Sequence, residues 1–231
     1  MIQTFTEFFQ FLRSPSFKVP KTDNKTKWGD FMWLFLLDIL FSIPFVALYY
    51  VLVELKLIKE YEGFDIFKEY GIYWGFIIGC FFAPLLEEYL FRWQLTKRYA
   101  SIYFVMLSIA TMIIFGIESE LISWVIFLTA LAIARILHVI LKKRSLTLTH
   151  NLWKKCYPVL FYVTAIIFGL IHLSNYKDLT LTDPSIVFYM GSQLFGGLIL
   201  GYLRIRQGIA YSILFHACFN LIALSLELFF G

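Results

Sequence analysis

Long apolar runs, separated by short charged loops, constrain the fold of this chain more than any other feature. A helix needs about 20 mostly apolar residues to cross the hydrocarbon core of a bilayer. The chain has 231 residues, of which 60% are hydrophobic, and its mean hydropathy is +0.74. We therefore predict an all-α, polytopic transmembrane bundle with about seven spans. The predicted spans are residues 31–53, 72–96, 101–117, 121–141, 157–173, 185–203 and 208–230.

The residues before the first span combine aromatic side chains with charges. We predict a cytoplasmic N-terminal segment over residues 1–30, which includes an interfacial helix, followed by one transmembrane domain over residues 31–231. The apolar side chains of the expected helix are Phe5, Phe8, Phe9, Phe11 and Leu12.

The basic residues are unevenly divided between the two sides of the predicted bundle. Of the loop and terminal lysines and arginines, only Lys56, Lys59, Lys68 and Lys177 fall on one side. Because cytoplasmic loops carry the excess of basic residues, we place the N-terminus in the cytoplasm and the C-terminus outside. The short loops favour a bacterial inner (plasma) membrane as the location.

Composition also excludes two classes of function. The net charge of +4 comes from short clusters between apolar spans, so it does not indicate a nucleic-acid partner. The three cysteines have no paired spacing, which argues against a disulfide framework or a cysteine zinc site.

Several ionisable side chains lie inside the predicted spans. Glu87, Glu88 and Arg92 interrupt one span, and His172 and His216 lie in equally apolar surroundings. Each such residue costs roughly 2.5–3.5 kcal/mol on insertion scales, so their presence indicates a function.

Helical spacing gives the two acids different surroundings. Glu88 and Arg92 are four residues apart and can form an ion pair on one face. Glu87 is rotated by about 100° from Glu88, which leaves it without a local partner and available as a general base. Pro84 lacks an N–H and is expected to kink the helix just before the acids.

The histidines allow two chemical interpretations. His216 and Asn220 are four residues apart on one helix and could stabilise a developing oxyanion. Alternatively, Glu87, His172 and His216 could be the three protein ligands of a catalytic zinc ion. The cofactor is therefore either absent or one zinc ion.

Together, three motifs resemble the CPBP family of CAAX proteases and bacteriocin-processing (Abi) intramembrane proteases. The motifs are Glu87-Glu88-x-x-x-Arg92, Phe168-x-x-x-His172 and His216-x-x-x-Asn220. The resemblance implies a polytopic helical protease in which Glu87 and His172 activate water. It also implies that His216 and Asn220 hold the oxyanion, and that Glu88 and Arg92 hold the site together. Family members have been described both as metalloproteases and as glutamate proteases.

The chain departs from the family pattern in two respects. About 75 residues separate the first two motifs, so we expect an inserted helical hairpin at about 101–156. Counted from the cytoplasmic charges at about 1.5 Å per residue, His172 is deeper than Glu87 and His216. Helix tilt, a kink at Pro84 or a helix that begins beyond the membrane could remove this difference.

The leading functional hypothesis is an intramembrane endopeptidase that cleaves a membrane-embedded or lipid-anchored peptide or protein. Intramembrane acids and histidines also occur in proton-coupled transporters, which is the first alternative. The second alternative is a catalytically silent scaffold or immunity factor. The sequence does not distinguish a prenylated CAAX substrate from a leader peptide.

Overall fold

The computed structural model describes residues 2–18, 24–114 and 117–230. These residues form nine α-helices. The helices are α1 (Ile2–Arg13), α2 (Asn24–Glu54), α3 (Ile66–Ile77), α4 (Ala83–Arg92), α5 (Ala100–Ile114), α6 (Glu120–Lys142), α7 (Leu146–Ile171), α8 (Ile186–Arg206) and α9 (Ile209–Phe230). A π-helical turn, Ile78–Phe82, joins α3 to α4, and short 3-10 turns follow α4 and α7.

The prediction of a polytopic all-α bundle is confirmed. Six segments of the described chain are long and apolar enough to cross a membrane. The predicted span 101–117 corresponds to α5, which is shorter. The six segments are Thr26–Glu54, Ile66–Thr96, Glu120–Lys142, Leu146–Asn175, Ile186–Arg206 and Ile209–Phe229. Residues 1 and 19–23 of the predicted N-terminal segment and 115–116 of the predicted third span lie outside the described residues.

Helix α8 occupies the centre of the bundle and contacts α7, α2, α9, α1 and α4. Two of its glycines allow α7 to approach closely. A Cβ added to Gly201 would lie 2.8 Å from Cε2 of Phe161, and one added to Gly197 would lie 3.2 Å from Cδ1 of Phe168. This close packing places the end of α7 beside the other helices that form the site described below.

Helices α5 and α6 form a hairpin whose members contact mainly each other. The outer face of α6 exposes large apolar side chains such as Leu121 (75%) and Trp124 (61%). Such exposure is expected for a helix that faces lipid rather than water.

The loop after α2 and the loop after α7 are joined at the end of the bundle opposite α1. The Phe64 amide donates to the carbonyl of Asn175 (2.7 Å), and Gly63 forms a β-bridge with Tyr176. The Tyr61 hydroxyl donates to Oδ2 of Asp183 (2.5 Å), and this hydrogen bond lowers the pKa of the Asp183 carboxyl. These contacts fix the chain immediately after His172.

The N-terminal helix is present, but its aromatic face contacts protein as well as the surroundings. Phe8 and Phe11 are buried (0% and 8% exposed) against Tyr202, whereas Phe9 is 46% exposed. The helix is fixed by a polar cluster in which Arg206 of α8 pairs with Glu7 and donates through Nε to Oδ2 of Asp30 (3.1 Å). The α1 segment is therefore part of the packed bundle.

We predict that Arg206→Ala releases α1 from the bundle. The change leaves Asp30, which is 4% exposed, without the guanidinium that pairs with it, and breaking a buried pair costs about 3–5 kcal/mol. Trypsin should then cleave faster at Arg13 and Lys18, and the unfolding temperature should fall. Arg144→Ala, at an exposed arginine, is the matched control. Unchanged cleavage in Arg206→Ala would contradict this account of α1.

Candidate active site

Three helical segments bring the predicted site residues together. Glu87, Glu88 and Arg92 lie on α4, His172 begins the 3-10 turn after α7, and His216 and Asn220 lie on α9. Contacts of α4 with α7 and α9 hold these segments side by side. All six side chains therefore surround one small region of the bundle.

The ion pair expected from helical spacing is present. Nη1 of Arg92 lies 3.6 Å from Oε1 of Glu88, and the two side chains are 2% and 0% exposed. The guanidinium also stacks over the ring of Phe168 at 4.0 Å. The aromatic face contributes a cation–π interaction to this buried charge.

His216 lies between the two glutamates. Its Nδ1 is 3.2 Å from Oε1 of Glu88, and its Nε2 is 3.7 Å from Oε2 of Glu87. A carboxylate can only accept a hydrogen bond, so Nδ1 carries the hydrogen when Glu88 is ionised. The sequence analysis grouped His216 with Asn220 and, in the zinc alternative, with Glu87 and His172, but gave no signal of its contact with Glu88.

His172 is oriented by its own helix. Its Nδ1 lies 2.7 Å from the carbonyl oxygen of Phe168. A carbonyl only accepts, so Nδ1 donates and Nε2 of the neutral ring has a free lone pair. That Nε2 lies 3.7 Å from Oε2 of Glu87.

Glu87 is therefore flanked by two imidazoles. Its Oε2 is 3.7 Å from Nε2 of His172 and 3.7 Å from Nε2 of His216. Within the described part of the chain this oxygen has no hydrogen-bond partner, although the side chain is 28% exposed. The arrangement suits a group that exchanges a proton with water or with either imidazole.

Asn220 has a definite contact that the sequence did not indicate. Its Nδ2 donates to the carbonyl oxygen of Gly79 (2.7 Å). In the π-helical turn the N–H of Ala83 donates to the carbonyl oxygen of Ile78, five residues earlier. In the same pattern, the carbonyl oxygen of Gly79 would accept from the N–H of residue 84. Pro84 has no N–H, and the amide of Asn220 supplies the missing donor. The amide has a second N–H, which the contact with Gly79 does not use.

The difference in depth is absent from the structure. Helix α7 begins at Leu146, so Lys155 lies within the helix and does not mark its start. The π-helical turn lies directly before Pro84, where the sequence predicted an irregularity. The early start of α7 and the π-helical turn before Pro84 are the two irregularities that accompany the meeting of His172 with Glu87.

The three side chains of the zinc alternative, Glu87, His172 and His216, lie close together. Among the residues that the structure describes, no group of three or more His, Cys, Asp or Glu side chains is arranged to hold a metal ion.

Comparison with known proteins agrees with the motifs. Residues 144–222 match the family model described as Type II CAAX prenyl endopeptidase Rce1-like. This match confirms the resemblance to the CAAX proteases. The matched segment contains His172, His216 and Asn220, whereas Glu87 precedes it. At the level of the family, the match supports an integral membrane endopeptidase of the CAAX type. No curated protein and no solved structure was found to match the chain.

One buried acid near the site was missed by the sequence interpretation. Asp38 on α2 is 2% exposed and lines the same small cavity as His216 and Asn220. The only sequence signal was a single aspartate inside an otherwise apolar run, which no motif accompanied.

We predict that Arg92→Ala is strongly destabilising. It leaves the fully buried Glu88 without its arginine, at a cost of about 3–5 kcal/mol. Arg135→Ala, at an exposed arginine within a span, should change the free energy of unfolding by less than about 0.5 kcal/mol. Equal stability of the two variants in a denaturant titration would show that Glu88 does not depend on Arg92.

A double-mutant cycle tests the contact between Asn220 and Gly79. Asn220→Ala leaves the buried Gly79 carbonyl without a donor and should cost about 1–3 kcal/mol. Pro84→Ala restores an N–H in the π-helical pattern, so the same Asn220→Ala change should cost less in that background. If the changes in the free energy of unfolding for Asn220→Ala and Pro84→Ala are additive in the double variant, the amide of Asn220 does not replace the missing N–H of residue 84.

Proposed function

We propose that this protein is an intramembrane endopeptidase of the glutamate type, which hydrolyses a peptide bond in a membrane-embedded or lipid-anchored substrate. The observation that supports it best is the position of Glu87 Oε2, 3.7 Å from Nε2 of both His172 and His216. The three side chains come from different helical segments, so helix periodicity alone does not account for their meeting.

The first step of the proposed reaction is activation of water. Glu87 removes a proton from a water molecule that also donates to Nε2 of His172, and the hydroxide attacks the substrate carbonyl carbon. The Phe168 carbonyl keeps the lone pair of His172 directed towards this water. Proton transfer to a positioned carboxylate contributes about 10²–10⁴-fold to rate.

The second step is stabilisation and collapse of the tetrahedral intermediate. With the water proton on Glu87, the charges of Glu88 and Arg92 cancel, and a proton on His216 gives the cluster one positive charge to face the oxyanion. The Nε2–H of His216 and the free N–H of Asn220 then donate to the oxyanion. Glu87 returns its proton to the leaving amine as the carbon–nitrogen bond breaks.

The surface around Glu87 supports a substrate that arrives from the bilayer. Its neighbours on α4, Leu86 and Leu90, are 67% and 60% exposed, and Ile171 beside His172 is 45% exposed. Apolar side chains therefore surround the accessible face of the carboxylate. The family model names prenyl endopeptidases, so a prenylated C-terminal segment is the first substrate class to test and a leader peptide is the second.

The wider arrangement is also proposed. Residues 1–30 form the cytoplasmic N-terminal segment and residues 31–231 form the protease domain. The insertion expected at about 101–156 is the hairpin of α5 and α6, which ends at Lys142 because α7 begins at Leu146, and this hairpin shapes substrate access. The proposed location is the bacterial inner membrane.

Glu87→Gln should abolish cleavage while preserving the fold. The amide has nearly the same shape but cannot accept the proton of water, so turnover should fall by about 10²–10⁴-fold. The measurement compares peptide termini in membranes from cells with wild-type protein and with the variant. Purified protein is then incubated with a prenylated CAAX peptide and with the same peptide lacking the lipid.

Two controls make this experiment decisive. Glu120→Gln, at an exposed acid at the start of α6, should cleave as the wild type does. Chelating agents should leave cleavage unchanged, and loss of activity with chelation would overturn the glutamate type. Equal cleavage by wild type and Glu87→Gln would remove the proposed base.

A further inference from the structure

Asp38 is a buried carboxylic acid for which the reaction proposed above has no use. It lies within α2, is 2% exposed, and its Oδ1 has no hydrogen-bond partner in the described ranges. One turn later, Oγ of Ser42 is also buried without a partner among the described side chains and backbone. Buried polar atoms in proteins nearly always have a partner, either protein or ordered water.

The carboxyl group lines a cavity that shares His216 and Asn220 with the candidate active site. The cavity has a volume of about 30 Å³ and lies between α2, α8 and α9. Its polar lining consists of Asp38, Ser192, Gln193, His216 and Asn220. This volume accommodates roughly two water molecules, and side chains on three helices offer the two to four hydrogen bonds that a buried water requires.

A glycine keeps the carboxyl accessible from α8. A Cβ added to Gly196 would lie 3.6 Å from Oδ2 of Asp38, at ordinary van der Waals distance. A methyl group there fits sterically but occupies space beside the carboxyl. The substitution Gly196→Ala therefore reduces the volume of the cavity without changing Asp38.

We propose that this cavity is a water-binding site, anchored by Asp38, which supplies water to the catalytic centre from the α2 side. The proposal rests on the proposed function, because hydrolysis consumes one water per peptide bond. The oxygen of that water bonds to the acyl carbon as the carbon–nitrogen bond breaks. One of its hydrogens passes to the new amine, and the other stays with the carboxyl product. His216 and Asn220 line both the cavity and the site, so water can pass between them over a short distance.

Radical footprinting of the full-length protein in detergent tests the site independently of peptidase activity. Radiolysis of bound water oxidises adjacent side chains, and mass spectrometry measures the product. Phe215 and Phe161 are both 1% exposed, but only Phe215 belongs to the cavity lining. We expect oxidation of Phe215 well above that of Phe161.

Substitutions in the cavity test whether Asp38 binds the water. Asp38→Leu and Gly196→Ala should reduce Phe215 oxidation to the level of Phe161, whereas Asp38→Asn, which still binds water, should retain it. Gly29→Ala is the matched control, since a Cβ added there meets nothing within 4 Å. If Asp38→Leu does not fold, Gly196→Ala carries the same test.

Measurements of peptide cleavage then test whether the water site contributes to the reaction. Asp38→Leu should lower kcat with KM unchanged, and Asp38→Asn should restore kcat. Phe215 oxidation equal to that of Phe161 in the wild type would overturn the water site, as would oxidation that is unchanged in Asp38→Leu. Unchanged kcat in Asp38→Leu would overturn its role in supply. Footprinting as expected in a protein that cleaves nothing would refute the peptidase and leave the water site standing.

Discussion

The buried pair of Glu88 and Arg92 is the interaction on which the rest of the site depends. Neither charge is exposed, and each would be costly alone inside a bilayer. Arg92 also stacks on Phe168 of α7, its carbonyl accepts from Nε of Arg204 on α8 (3.2 Å), and Glu88 contacts His216 of α9. One ion pair on α4 thus joins three other helices.

The two imidazoles owe their orientation to acceptors of different kinds. His172 donates to a backbone carbonyl, which is neutral, whereas His216 faces a carboxylate. His172 donates through Nδ1 and presents the lone pair of Nε2 as a hydrogen-bond acceptor for water, whereas His216 acts as a donor in the proposed reaction. Two histidines that look alike in the sequence are therefore suited to opposite tasks in the proposed reaction.

Hydropathy was sufficient to predict six of the seven expected spans, and spacing was sufficient to pair Glu88 with Arg92, because both signals are local. The sequence prediction placed the start of α7 at residue 157 because residues 146–155 include polar and charged side chains, which lower the local hydropathy. Burial of Phe8 was missed because a phenylalanine on an amphipathic helix suits either lipid or protein. The bridging position of His216 depends on how α4 and α9 pack, which a single sequence does not specify.

The π-helical turn at Ile78–Phe82 has a consequence for how this helix tolerates insertions and deletions. A π turn is equivalent to one additional residue in an α-helix, and it turns everything after it by about 100° relative to what precedes. The directions of Glu87 and Glu88 are therefore set by a register shift several residues upstream. Loss of one residue there would turn Glu87 away from the imidazoles, with every residue of the motif still in the sequence. The site is specified by chain length before Pro84 as much as by the motif itself.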